Sequence, residues 1–305
     1  FWHGRDLAAR HCAIRANVAE PQRFASAGGV VEALFETGEI LVLPITLPIS
    51  EQIVLVDDFR PESLLVYPNV LAAMLQDCTA RGRGFEGLRH LRSVGETLPA
   101  ALREEAAAFF GARVTDCYSS QEIGYFSLEC PDAPLQHVMA EGVIVELLRE
   151  DGSACGEGET GRVVVTDLHN FATPMIRYDI GDYAEAGPRC PCGRGLPTLS
   201  RIVGRERNLL RRADGARHWP LLGGLHFRDV APVSQFQAIQ HDYDRIELRL
   251  VCEAALTAQQ EADLRAMVLA ALGHDMAINF TFFDDRLPAA PNGKFEEFIC
   301  RIGAP

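Results

Sequence analysis

Apolar positions along the chain follow two rhythms. Short runs rich in β-branched residues, at Cys12–Val18, Glu39–Ile45, Ser63–Tyr67, His90–Val94 and Arg113–Cys117, predict strands. Between them the spacing becomes helical. Pro68 opens a segment through Val70-Leu-Ala-Ala-Met-Leu whose apolar side chains share one face, ending near Gly82, and Pro99 opens a helix over Ala100–Phe110 with a Glu-rich, solvated face. Strands alternating with helices predict an α/β layered domain.

Past about residue 140 the rhythm changes. Val143–Leu148 and Arg162–Thr166, joined by the Gly- and Glu-rich segment Asp151–Gly161, predict antiparallel strands of a small barrel or sheet. After Gly204 come an Arg-rich hairpin, a strand at Arg245–Cys252, a helix at Ala258–Leu272 and a strand at Ala277–Phe283. The expected organisation is a large α/β domain over residues 1–204, with a β-rich subdomain at 140–203, followed by a small, mobile α+β domain over 205–305.

Composition narrows the function. The net charge of −13 argues against non-specific nucleic-acid binding, which needs clustered Lys and Arg to displace counterions. The longest apolar stretch, Ile40 to Ile49, is short and carries Pro44 and Pro48, so no membrane span is expected. The chain opens at Phe1 without a charged leader, and the lack of an initiating Met hints that upstream sequence is missing. Nine cysteines, an odd number without dense spacing, make a secreted disulfide framework improbable and a cytoplasmic setting expected. Cys12, Cys78, Cys117, Cys252 and Cys300 read as small core residues.

Four residues read differently. Cys130, His137, Cys190 and Cys192 supply three thiolates and an imidazole, which suits tetrahedral zinc in a closed, structural site. The alternative is a set of free thiols and a surface histidine, and Cys155 could replace one ligand. The histidines pair with no obvious nucleophile for triad chemistry, and Ser119 and Ser120 lack the glycine elbow of a hydrolase.

Three polar segments carry the candidate chemistry. Tyr118-Ser-Ser-Gln-Glu122 follows an apolar strand, at the carboxyl end where open α/β sheets place ligands. Its aromatic ring, two hydroxyls and carboxylate suit a base, phosphate oxygens and a hard cation, unless the segment is merely a polar strand-to-helix loop. Arg177-Tyr-Asp-Ile-Gly-Asp182 offers a carboxylate able to accept two vicinal hydroxyls. Lys294, the only lysine in the chain, sits in Leu287-Pro-Ala-Ala-Pro-Asn-Gly-Lys294, a Pro/Gly-shaped loop that would present an ammonium to a phosphate or carboxylate.

The order of these pieces resembles the adenylate-forming superfamily of acyl-CoA synthetases and adenylation domains, in the branch similar to phenylacetate-CoA ligase, coenzyme F390 synthetase and CapK-like proteins. The resemblance covers residues 60–305. It implies that Ser93-Val-Gly95-Glu96 lies against adenine, with Tyr118, Ser119, Ser120, Gln121 and Glu122 on the nucleotide and Glu122 on Mg2+. It likewise implies that Asp182 binds ribose, Gly204-Arg205 forms the inter-domain hinge, and Lys294 serves adenylation. The same branch often shows the Cys, His and Cys-x-Cys set. ATP, Mg2+, structural Zn2+ and CoA are the implied cofactors. The implied partners are a carboxylic acid and an acyl acceptor, either CoA, a carrier protein or a small amine or hydroxyl, with a homodimer also in view. Ser119 and Gln121 replace the superfamily's usual glycine and threonine, the usual acidic pair after the hinge arginine is replaced, and Gly215-Ala-Arg-His-Trp219 only loosely matches the family's glycine loop. No Ser/Thr/Gly-rich phosphate loop is present. The competing expectation is a non-catalytic, zinc-stabilised accessory protein for polysaccharide or secondary-metabolite assembly.

Overall fold

A computed structural model describes residues 2–205, 208–218, 220, 222, 225, 227–288 and 295–303. These fall into two compact units, one covering Phe1–Leu98 and Leu102–Val203 and the other chiefly Gly204–Ala290 and Phe295–Pro305.

In the first unit the chain runs β1 (His11–Arg15), β2 (Gln22–Phe24), α1 (Gly29–Leu34), β3 (Ile40–Pro44), α2 (Ile49–Phe59), β4 (Ser63–Val66), α3 (Pro68–Arg81), β5 (His90–Val94) and α4 (Ala100–Phe110). Strands β6 (Arg113–Ser120), β7 (Gly124–Glu129), β8 (Gln136–Val138), β9 (Val143–Leu148), β10 (Thr160–Asp167), β11 (Tyr178–Ala186) and β12 (Thr198–Arg205) follow. All twelve join one sheet, ordered β2-β3-β1-β4-β5-β6-β7-β8-β12-β11-β10-β9.

The sheet changes character at β6. Strands β3, β1, β4, β5 and β6 are parallel neighbours, whereas β6–β7, β7–β8 and β8–β12 pair antiparallel. The small β sheet expected near residues 140–203 is thus an extension of the main sheet, relayed by the short strands β7 and β8. It keeps its own core, built from Phe126, Val138, Val143, Val163, Val165, Ala184 and Leu199 under Tyr118.

The parallel half buries one strand face under α2, α3 and α4. Cys12, Ile14, Leu41, Leu43, Leu64, Val66, Leu91 and Val114 alternate along their strands and meet Val56, Phe59, Leu71, Met74 and Phe110. Helix α3 starts with Pro68 in its first turn and stops at Gly82, whose φ of 65° is the left-handed cap only glycine adopts cheaply. Helix α2 was not foreseen. It follows Pro48 and ends at Arg60 (φ 50°), where Pro61 cannot donate the next helical hydrogen bond.

The second unit contains β13 (Leu210–Arg211), β14 (Arg217–His218), α5 (Phe227–Val230), β15 (Val233–Asp242), β16 (Arg245–Cys252), α6 (Ala258–Leu272), β17 (Ala277–Phe283) and β18 (Phe298–Cys300). Its four-stranded sheet, ordered β17-β16-β15-β18, packs Ile246, Leu248 and Leu250 on Leu264, Val268 and Leu272 of α6. A Thr257–Gln260 capping box opens α6 and Gly273 closes it.

Candidate functional site

Strand β6 carries the predicted aromatic-to-glutamate segment and extends further than expected. Tyr118, Ser119 and Ser120 are its last residues, and Gln121 and Glu122 form the exposed turn into β7. The segment is therefore a strand-to-strand hairpin, pinned by the Ile123 amide donating to Ser120 Oγ at 3.2 Å. The polar turn gave no sign that the chain doubles back rather than entering a helix.

Tyr118 is 7% exposed, and its ring lies 4.4 Å from that of Phe126. Its hydroxyl donates to Asp182 Oδ2 at 2.9 Å. Asp182 belongs to β11, four strands from β6 in the sheet order. A flat sheet would hold those strands about 19 Å apart at the usual inter-strand spacing. The antiparallel half must therefore curl, closing over the Phe126 core until the two predicted segments meet.

The glycine–acid segment leaves β5 at the same carboxyl edge. Gly95 has φ 79°, a turn that a residue with Cβ adopts only under strain. Beyond it Glu96 turns back to accept the Asn69 amide at 3.0 Å, in the first turn of α3. Arg205 is exposed at the end of β12, after Gly204 at φ 122°. Lys294 and Trp219 lie outside the described residues.

Sequence gave no hint of a polar chain beneath this edge. Asp116 on β6 sits beside Ser93 of β5, its amide donates to Glu129 Oε2 at 2.8 Å, and Arg103 holds that same carboxylate at 2.9 Å. Burial pushes the Asp116 carboxyl up to about 6, against the opposing pull of the Ser93 hydroxyl and Arg103.

The four predicted metal ligands come together. One donor atom from each of Cys130, His137, Cys190 and Cys192 lies within 4.8 Å of the others. Cys130 Sγ is 3.7 Å from Cys190 Sγ, and Cys192 Sγ is 3.2 Å from His137 Nε2. Tetrahedral zinc with normal bond lengths needs sulfur–sulfur edges of about 3.8 Å and sulfur–nitrogen edges of about 3.5 Å, so the donor set fits that ion. His137 is fully buried, with the edge of Trp2 against its ring at 5.5 Å. The Arg194 backbone amide, aided by its guanidinium, holds the Cys192 thiol down at about 6, favouring the thiolate that binds metal. Cys155, the suggested substitute ligand, is not part of this group. The cluster spans the end of β7, β8 and the loop entering β12, the seam between the two halves of the sheet.

Solved structures identify the class of fold. A 2-hydroxyisobutyryl-CoA ligase in complex with 2-HIB-AMP superposes with a TM-score of 0.74 at 18% identity, over 98% of this chain and 66% of that one. A benzoate CoA ligase from Burkholderia xenovorans LB400 gives 0.67 at 20% identity, over 96% and 61%. The fold is that of the adenylate-forming ligases, a large α/β domain plus a small α+β domain. In sequence the chain is similar to two named proteins. It is 30% identical to phenylacetate-coenzyme A ligase of Thermus thermophilus over 193 residues, 60% of this chain and 42% of the relative. Protein CapK of Staphylococcus aureus is 26% identical over 212 residues, 65% of this chain and 43% of the relative. Residues 226–301 match the CapK C-terminal domain family. The resemblance read from the motifs holds, and the chain spans less than half the length of these two relatives. Among the described residues no helix is long and apolar enough to cross a membrane.

Proposed function

We propose that the protein is an ATP-dependent, AMP-forming ligase that activates a carboxylic acid. A carboxylate oxygen attacks the α-phosphorus of ATP, the α–β phosphoanhydride bond breaks, and pyrophosphate leaves from an acyl-adenylate. A thiol such as that of CoA then takes the acyl group and AMP departs. The chemistry asks side chains for positioning and charge neutralisation rather than covalent work. In this reading Asp182 and Arg205 orient the ribose, Gly95 and Glu96 line the adenine, and Tyr118 through Gln121 flank the nucleotide. Glu122 would hold magnesium. Lys294 bridges the acid and the α-phosphate, carried there by rotation of the domain over 205–305.

One observation carries the proposal. The Tyr118–Asp182 hydrogen bond joins two predicted nucleotide segments that lie 64 residues apart in sequence. The Cys130, His137, Cys190 and Cys192 group supports a structural zinc, because all four positions are filled by protein donors and none is left for a substrate.

Pyrophosphate exchange by the intact protein against aryl, fatty and amino acids tests the reading. Lys294→Ala is expected to lower exchange by orders of magnitude while the melting temperature holds. Unchanged exchange in that variant removes the lysine's role, and failure of the intact protein to bind ATP replaces the ligase with the accessory-protein reading.

A further inference from the structure

The sheet face opposite α2, α3 and α4 carries a group of cations that the reading above does not use. Arg15 ends β1, Arg92 is central in β5, and Arg5 precedes β1. Arg15 and Arg92 share the side of the sheet turned away from the helices, since Ile14 and Leu91 beside them point into the helical core. They converge on Tyr125 of β7. Arg15 donates to Tyr125 Oη at 2.9 Å, and the Arg15 and Arg92 guanidiniums lie 5.9 Å and 5.7 Å from the centre of its ring. Arg92 also reaches Cys117 Sγ at 3.4 Å. Burial and the Arg92 charge both work against the charged form of Arg5, whose other electrostatic neighbours are Cys117 and Tyr125.

Positive charge gathered in this way needs compensation. Among the described residues, none of Arg5, Arg15 and Arg92 makes an ion pair, and Arg92 Nε is buried without a hydrogen-bond partner. Three acids share these surroundings without pairing with the cluster: Glu62 acts beside Arg5 on His11 and His90, Glu96 beside Arg15 on Tyr67, and Glu129 beside Arg92 on His3. Such a cluster is out of keeping with a chain of net charge −13. Within this chain Tyr125 is 38% exposed, so a ligand can reach the group. Because Tyr125 Oη accepts from Arg15, its own proton is left to donate. Two guanidinium forks and a phenol make an oxygen-rich anion the fitting ligand.

Position says which anion. Tyr125 is paired with Ser119 across the β6–β7 hairpin, and Cys117 precedes Tyr118, so the cluster sits on the strands that carry the nucleotide segment. Resting on the adenylation reading, we propose that Arg15, Arg92 and Tyr125 recognise a second anionic group on the acid substrate. The substrate class is then a dicarboxylic acid, or a carboxylic acid bearing a phosphate or sulfonate. One carboxylate is activated while the distal anion is held here.

The test is pyrophosphate exchange by the intact protein with length-matched pairs, butyrate against succinate, valerate against glutarate and benzoate against terephthalate, with phosphono-acids as a further arm. At least one doubly anionic acid is expected to exceed its partner about thirty-fold in kcat/KM, the scale of a charge-assisted bidentate contact. Arg92→Gln and Arg15→Gln should each cut that ratio about ten-fold or more, and Arg92→Lys should keep part of it. The ratio compares two substrates on one preparation, so loss of folded protein cancels. Uniform preference for the monoacids, or a ratio unmoved in both Gln variants, overturns the proposal. So does an Arg92→Gln variant that only raises KM for ATP equally with both acids, since the cluster would then serve the nucleotide. If no acid supports exchange, the adenylation reading falls and the cluster is judged by binding alone. Thermal protection by the diacids that Arg92→Gln abolishes keeps anion recognition, and its absence ends it.

Discussion

Replacing Tyr118 by Phe isolates one atom at the place where the sheet closes on itself. The ring keeps its packing on Phe126, 4.4 Å between centroids, and only the hydroxyl that donates to Asp182 at 2.9 Å is lost. A neutral donor on a carboxylate contributes about 1.5–3 kcal/mol when little water competes, and Tyr118 is almost wholly buried. With about 2 kcal/mol lost, a domain of this size should melt about 4–8 °C lower. The assay is a cycle of Tyr118→Phe, Asp182→Asn and the double variant, each unfolded in urea and each titrated with ATP. A coupling of about 1–2 kcal/mol is expected, because the two groups are in contact. Each single variant should also weaken ATP binding several-fold, since closure aligns β6 with β11. Additive stabilities within about 0.5 kcal/mol would show that the bond does no work, and unaltered ATP binding in both single variants would separate the closure from the nucleotide site.

Purified without chelator, the protein should contain one zinc per chain by elemental analysis, and Cys192→Ser should lower that content and the melting temperature together. Absence of stoichiometric metal in the parent protein removes the site. Asp116 predicts a pH effect whose sign is fixed. Its folded value of about 6 lies above its ordinary 3.8, so the native state binds the extra proton and stability falls as pH rises from about 4 to about 6. The full cost, about 3 kcal/mol, is present at neutral pH. Relative to the parent, Asp116→Asn should therefore gain stability between pH 4.5 and 7.5, measured by urea unfolding at both, and a pH-independent difference would refute the burial argument.

The elements legible in the sequence are those whose rhythm is set by one buried face. The strands His90–Val94, Arg245–Cys252 and Ala277–Phe283 and the helices Ala100–Phe110 and Ala258–Leu272 fall where their patterns placed them. Helix α2 was hidden because the apolar stretch Ile40–Ile49 passes from strand into helix without a polar break. Its pattern is also confused by Val54, 53% exposed on the outer side, and by Gln52, fully buried to donate to Leu47 O at 2.8 Å. The four candidate metal ligands were readable because Cys190 and Cys192 share a tight turn and, with Cys130 and His137, stand outside the apolar runs that hold most of the other cysteines. Arg5, Arg15 and Arg92 were not, since each is one arginine among many and only the folded sheet gathers them. Their one sequence signal is an arginine on the second face of a parallel strand, at Arg15 after Ile14 and at Arg92 after Leu91, where strands covered on both faces read as continuous apolar runs.

The curl between β6 and β11 also sets how errors travel. Four inter-strand steps separate the ends that must meet, so a change of about 0.2 Å in each spacing adds up to about 0.8 Å at the gap, enough to break a hydrogen bond. Side chains inside the curl, such as Phe126, Val138 and Leu199, therefore act as spacers for the Tyr118–Asp182 contact. Resizing any of them changes the span that this hydrogen bond has to bridge.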